Sequence, residues 1–551
     1  MYQYDQHDHL LLAQRIEQYR DQVSRRLRGE LSEEEFLPLR LQNGVYNQRH
    51  SHMLRVAIPY GTLSSVQLRA LAEVADRWDQ GFGHFTTRQN IQFNWVRLED
   101  TPDILEYLAQ FGVHAIQTSG NCIRNITTDV FAGVAVDEVM DPRPLAEILR
   151  QWSTLNPEFA FLPRKFKISM SGAEADRAAV RVHDIGISLY RDVAGKALLR
   201  IFVGGGLGRT PVIGSLIREA LSWRDLITYT EAIIRVYNRY GRRDNKYKAR
   251  IKILVQALGI ETFAHEVEEE WAELRGGVAT ITGAEYRRVA AFFAPSHPAV
   301  EDDSAALARS SEGSHELSRW LKRNVSAHKR DAYANVTLST KPGVLSPPGD
   351  MSSTQMRAVA DWADGYGSGE IRVSHDQNVV LPDVHRRNLS ELWQEAERLH
   401  LATPNIGLLT DIIACPGGDF CSLANARSIP VAQAVQARFD DLDFLHDLGE
   451  LSLNINGCMN ACAHHHVGNI GVLGVDKNGE EWYQVMLGGR GGSDAALGRV
   501  LGPAVRGEDV PDVIEKLVNA FVQLRAGEEA FSETVTRVGL APFKAAVYVQ
   551  E

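Results

Sequence analysis

The feature that most constrains this chain is an internal duplication. Residues 64–81, SSVQLRALAEVADRWDQG, align without a gap to residues 352–369, SSTQMRAVADWADGYGSG, and nine of the 18 positions are identical. A pattern repeated half a chain apart predicts two copies of one supersecondary unit related by an approximate twofold axis. The same offset of 288 pairs Arg88-Gln89-Asn90 with Asp376-Gln377-Asn378, so the correspondence extends past the first element. Each copy opens with Ser three residues before Gln (Ser64 and Gln67, Ser352 and Gln355), where hydroxyl and amide satisfy the first free N–H groups of a helix. Leu68, Leu71, Ala75 and Trp78 then recur at helical spacing before FTTRQNIQF switches to a period of two. Each unit is expected to run helix then strand, with Arg88, Asn90 and Gln92 on a polar strand face and Phe85, Ile91 and Phe93 on the other.

Later segments keep the order. LPRKFKISMSG (162–172) matches ELSLNING (450–457), and VGGGLGR (203–209) matches LGGRGGS (487–493), at offsets of 285 and 284. The fold class expected is α+β, internally duplicated with pseudo-twofold symmetry, with mixed sheets, flanking helices and three domains. We divide the chain into an N-terminal arm (1–42), a repeat pair (43–118 with 331–404), a first-half binding domain (119–293), a connector (294–330) and a second-half domain (405–551). The connector is placed on APSHPAVEDDSAALARSSEGSHE (294–316), rich in Pro, Ser, Ala and acid. A chain of 551 residues needs more than one core. No apolar stretch approaches the roughly 20 residues that cross a bilayer, and the first residues lack the basic start of a signal peptide, which predicts a cytoplasmic protein away from membranes. The net charge of −11 argues against a nucleic-acid partner.

Of five cysteines, four form Cys415-x5-Cys421 and Cys458-x3-Cys462, inside ACPGGDFC and NGCMNAC. Four thiolates on short loops suit a [4Fe–4S] cluster, and Gly417, Gly418 and Gly457 let the backbone pass close to it. A zinc site is the alternative, and the five-residue spacing counts against it. These motifs, with the duplication and both Gly-rich loops, resemble the siroheme nitrite/sulfite reductase family over nearly the whole chain. The resemblance implies that the repeat pair is ferredoxin-like. It also implies two cofactors, a siroheme and a [4Fe–4S] cluster, with Cys462 serving both.

It further implies that Arg88, Arg124 in GNCIRN, and Lys165 and Lys167 in PRKFK hold an anionic substrate. Strand alternation independently places the two lysines on one face, about 6.6 Å apart. For the eight carboxylates of siroheme, the expected contacts are Arg55, Arg209, Arg243, Lys246, Lys248 and Arg490. Three of these lie in GRRDNKYKARIK (241–252), with six basic residues in a dozen. The Gly-rich loops lack the spacing of a dinucleotide fingerprint. The histidines His464, His465 and His466 are expected to pack rather than to form a second metal site, and Tyr46 with Cys122 is a pair to test for a cross-link.

The activity implied is assimilatory sulfite reduction, six electrons from sulfite to sulfide, because Lys167 stands where nitrite-reducing relatives typically carry Asn. Nitrite reduction is the alternative, and a zinc-stabilised binding protein the non-enzyme alternative. With no flavin or nicotinamide motif in the chain, electrons are expected from a separate donor, a ferredoxin or a flavoprotein reductase.

Overall fold

Each repeated unit starts at the serine cap. Ser64 Oγ accepts from the Gln67 N–H (3.2 Å), while Gln67 Oε1 accepts from the Ser64 N–H (3.0 Å), and a helix runs Ser65–Trp78. Ser352 and Gln355 make the same box at 3.2 and 2.8 Å ahead of the helix Ser353–Tyr366. The two helices pack together, and the duplication is written in their ion pairs. Arg69 meets Asp361 and Asp364 (2.6 and 2.8 Å), and Arg357 meets Glu73 and Asp76 (3.4 and 2.7 Å). Exposed pairs of this kind are each worth under ~1 kcal/mol; their reciprocity shows the axis more than it stabilises it.

The computed structural model describes residues 3–294 and 314–548; most of the predicted connector, 295–313, lies outside the described residues. The first-half sheet runs Val45–Asn47, His52–Val56, Ile91–Val96, Phe82–Phe85, and is completed by Asp350–Ser352 from the second half. Its counterpart runs Val325–Ala327, Tyr333–Leu338, Val379–His385, Glu370–Val373, and ends on Thr62–Ser64 from the first half. Each sheet therefore lends the other an edge strand, which covers an open edge, and one core containing Leu68, Phe93, Met356 and Ile371 spans both.

One sequence boundary moves, that of the connector, while the arm ends where its second helix does, at Gln42. The arm is packed into this core through Tyr19, Val23 and Phe36, from the helices Gln6–Leu27 and Glu33–Gln42. Residues 315–330, placed in the connector, instead supply the helix His315–Asn324 and the strand Val325–Ala327, with Trp320 fully buried. That helix, HELSRWLKRN, has only Leu317, Trp320 and Leu321 as apolar residues, so its polar face merged with the acidic run before it.

The two binding domains repeat one sheet order. Thr127–Thr128, Ile168–Ser171 and Ile185–Arg191 are parallel neighbours, followed by antiparallel Ala197–Val203 and Ser215–Leu221. In the second half Ile413–Ala414, Leu453–Asn456 and Ile470–Lys477 are parallel, followed by antiparallel Glu480–Leu487 with Arg499–Val500 beside it. The Gly-rich loops close on matching bridges, Gly206 with Val212 and Arg490 with Ala496. Ile187, Tyr229 and Ile233 centre one core, and Val472, Ile514 and Phe521 the other. With the shared core of the repeat pair this makes the three domains expected. Among the described residues no helix is long and apolar enough to cross a membrane.

Candidate functional site

Residues from all three domains line one cavity: the strands at Tyr46 and Arg55, the turn at Thr86–Asn90, the segments at Arg124 and Lys165–Lys167, and both cysteine loops. Arg88, Arg124, Lys165 and Lys167 all face it, as do Arg55 and the four clustered cysteines. No Asp or Glu is among its described lining residues. In a chain of net charge −11, five cations without a carboxylate make a local anion site.

The arginines are fixed by neutral acceptors. Arg88 donates from Nη1 to Thr127 Oγ1 (2.6 Å) and from Nη2 to the carbonyls of Asn125 (2.6 Å) and Ile168 (3.3 Å). Arg124 donates to the carbonyls of Thr118 (2.8 Å) and Gly120 (2.7 Å). Arg88 does not lie on a strand, as the period of two had suggested, but in the turn between Phe82–Phe85 and Ile91–Val96. The Thr86 N–H donates to the Asn90 carbonyl (2.9 Å) and Gln89 takes a φ of 54°. Both flanking strands share one parity of apolar residues, so the pattern ran unbroken through a tight reversal.

Lys165 and Lys167 keep the predicted alternation. They flank Phe166, which is fully buried, bridges to Ile123 and accepts the Arg124 N–H at its carbonyl (2.7 Å). Burial, then the Arg124 charge, pushes the Lys165 ammonium down to about 8. Burial and Lys165 hold Lys167 well below an ordinary lysine, and burial takes Arg88 down to about 9. A cavity that disfavours its own cations is relieved by an anion.

Cys415 leaves the strand Ile413–Ala414, and its Sγ accepts from the Gly457 N–H (3.2 Å). The loops close as tightly as the glycines implied: a Cβ on Gly417 (φ +58°) would fall 2.1 Å from Ser428 Oγ, and one on Gly457 would fall 2.3 Å from the Ala426 carbonyl oxygen. Burial, then Cys462, pushes the Cys415 thiol up to about 12, and burial raises Cys421 and Cys458. Four thiols on short loops that line the same cavity are the donor set of a [4Fe–4S] cluster, which takes them as thiolates. Cys122 is not among the residues that line the cavity. Its thiol donates to the Ser119 carbonyl (3.2 Å), and Ser119 also hydrogen-bonds the Tyr46 hydroxyl.

Of the residues expected to meet siroheme carboxylates, Arg55 alone lines the cavity, its guanidinium on Gln92 Oε1 (2.5 Å from Nη2) and over the Tyr46 ring. Arg209, Arg243, Lys246 and Lys248 are exposed and outside the lining. Arg243 is engaged by the Phe161 carbonyl and Asn238, and Arg490 pairs with Asp494 (2.8 Å). The members of the basic run that turn inward are Arg250, partly buried, and Lys252, which is buried. Arg250 pairs with the fully buried Asp184 (2.7 Å), and the Lys252 ammonium is held by the carbonyls of Gly206 (3.2 Å), Leu207 (3.0 Å) and Thr210 in the Gly-rich loop. Charge density marked the run without telling which residues turn inward; the signal available was that Arg250 and Lys252 adjoin the apolar start of the helix Ile251–Leu258. Sequence reasoning also missed two ring contacts that gather three histidines beside the cations, His183 with His375 (6.5 Å) and with His464 (6.2 Å).

The sequence matches the family model described as the nitrite and sulphite reductase 4Fe-4S domain over residues 119–274 and 408–551. It matches the nitrite/sulfite reductase ferredoxin-like half domain over 46–111 and 343–399. It is 30% identical to a ferredoxin–nitrite reductase of Synechococcus elongatus, covering 85% of each chain. It is also 30% identical to sulfite reductase (ferredoxin) 2 of Mycolicibacterium paratuberculosis, covering 88% of this chain and 82% of that one. The solved structure of the Mycobacterium tuberculosis NirA protein aligns over 95% of both chains with a TM-score of 0.77 at 26% identity.

Proposed function

The chain belongs to the nitrite and sulphite reductase family and carries its siroheme and [4Fe–4S] cluster, and from that premise we propose that it reduces sulfite to sulfide with electrons from ferredoxin. One observation carries the reading: the acid-free cavity in which Arg88, Arg124, Lys165 and Lys167 face the same space as Cys415, Cys421, Cys458 and Cys462. The four cysteines would hold the cluster, with Cys462 shared with siroheme, and Arg55 would meet a siroheme carboxylate. When bound, this coupled centre supplies single electrons to a sulfur or nitrogen oxyanion.

The side chains supply the rest. Arg88 and Arg124, pinned by carbonyl and hydroxyl oxygens, present charge without needing to reorganise as the substrate changes, which is how fixed donors stabilise a developing anion. Lys165, at about 8, is a better acid near neutrality than a free lysine. It and Lys167 would pass protons from Nζ to each oxygen that leaves as water, then recover them from solvent.

The preference for sulfite rests on Lys167. Sulfite is larger and more highly charged than nitrite, so two ammonium groups side by side match it better. Nitrite is the second reading, supported by a nitrite-reducing relative of equal identity. Ferredoxin is the donor named for both of these relatives.

Two measurements test the proposal. The purified protein should show isobacteriochlorin bands with about five irons per chain, and its kcat/KM with reduced ferredoxin should favour sulfite over nitrite by about tenfold or more. The opposite ratio would reassign the substrate to nitrite. A colourless, iron-free protein from cells that make siroheme would defeat the reading.

A further inference from the structure

The duplication pairs Gln89 with Gln377, and both glutamines occupy a backbone conformation uncommon for residues with a Cβ, with φ of 54° and 66°. Both are buried, at 0% and 1% exposure. Each reaches across the pseudo-twofold axis in the same way. Gln89 Nε2 donates to the carbonyl of Val373 (3.0 Å), and Gln377 Nε2 donates to the carbonyl of Phe85 (2.9 Å), the terminal residues of equivalent strands. Each also grips the first strand of a binding-domain sheet. Gln89 Oε1 accepts from the Thr128 N–H (3.1 Å), and Gln377 Oε1 accepts from the Ala414 N–H (2.9 Å). Glycines make room for both amides: a Cβ on Gly61 would stand 2.6 Å from Gln89 Nε2, and one on Gly349 would stand 2.8 Å from Gln377 Nε2.

The latches are alike, but their endpoints are not. Gln89 ends on Thr128, next to the Thr127 hydroxyl that holds Arg88. Gln377 ends on Ala414, next to Cys415. The Gln377 amide is oriented in turn by His84 Nε2 (3.1 Å), whose Nδ1 is held by Asp350 (2.7 Å) on the exchanged strand. The loop bearing Cys415 is thereby tied to the hairpin that carries Arg88.

We infer that Gln377 is a positioning residue for the Cys415 loop and that Gln89 is its duplicate for the Arg88 site, one latch for each functional half. The inference rests on the reading of Cys415 as a cluster ligand. It is tested on the cofactor-loaded protein with three substitutions. Gln377→Asn tolerates a positive φ but is too short to span the gap. Gln377→Glu keeps the oxygen that accepts from Ala414. Gln89→Asn shortens the other latch.

Gln377→Asn should speed hydrogen exchange across 413–421 by about tenfold. It should also alter the electron paramagnetic resonance signal of the reduced cluster, leaving KM for sulfite within about twofold of wild type. Gln377→Glu should restore most of the exchange protection. Gln89→Asn should raise KM by about tenfold and leave exchange at 413–421 and the cluster signal unchanged. Unchanged exchange in Gln377→Asn, equal loss of protection in the Asn and Glu variants, or an altered cluster signal in Gln89→Asn would each overturn the inference. Cys415→Ala separates the two readings: an intact cluster there would refute the ligand assignment, whereas the exchange measurements judge the latch by themselves.

Discussion

The turn that carries Arg88 and the turn that carries Asp376 share a backbone course, a buried glutamine and a place at the junction of three domains, yet they face opposite kinds of surroundings. Beside Arg88, Asn90 Oδ1 accepts from Asn125 Nδ2 (2.9 Å), a neutral pair that leaves the nearby cations uncompensated. Beside Asp376, the equivalent Asn378 accepts from the fully buried Lys341 (2.7 Å) and donates to Asp411 (3.0 Å), while Lys341 pairs with Asp411 (2.7 Å). One copy of the junction holds unpaired positive charge against a cavity; the other is closed by a buried ion pair. Binding an anion needs charge left over, whereas a stable interior needs charge matched, and a duplicated frame lets each copy meet one demand.

The contrast can be broken most severely at the thiols. Cys421→Ser or Cys458→Ser, in the second half, should drop iron content and reduce turnover at least about 10³-fold, whereas Cys122→Ser in the first half should keep full iron, as an iron and sulfide assay would report. At the turns, Arg88→Ala should lower kcat/KM for sulfite by about 10²- to 10³-fold, while Asp376→Ala changes it less than about twofold. Stability should respond the other way round. Lys341→Met strands the Asp411 carboxylate and should cost about 3–5 kcal/mol in denaturant titrations, while Arg88→Met, which breaks no ion pair but frees neutral acceptors, should cost less, about 1–3 kcal/mol.

Smaller effects sharpen the picture. Lys167→Asn should move the ratio of sulfite to nitrite kcat/KM about tenfold toward nitrite; no movement would leave the sulfite assignment without its residue. The last effect is on pH. In the cofactor-free protein, Lys165 and Lys252 sit at about 8 against 10.5 for a free lysine. The unfolded chain then holds more protons between those values, so folding stability should rise as pH climbs from about 8 to 10.5. Lys165→Met should flatten that slope, by less than about 1 kcal/mol once water in the half-open cavity is allowed for.

Much of the frame was legible because it is local or repeated. The Ser64 and Ser352 caps, the helical apolar spacing after them and the glycines of the cysteine loops depend on contacts within a few residues, and an ungapped repeat implies an axis whatever the details. Lys165 and Lys167 were placed correctly because alternation about Phe166 needs only a locally extended backbone. Arg88 was misplaced because a turn between strands of equal parity leaves the period of two intact.

By itself, then, the sequence determined that the fold is duplicated, that four thiols and a group of cations are its chemical assets, and which family it resembles. Tertiary structure alone decided that the halves exchange edge strands, that Arg250 and Lys252 rather than Arg243, Lys246 and Lys248 turn inward, and that Lys341 fills the junction where its counterpart stays open. The reason is distance along the chain. His84 meets Asp350 266 residues away, and Gln377 meets Phe85 292 residues away. Which of many polar side chains finds such a partner is set by how whole sheets pack, and no local pattern records it.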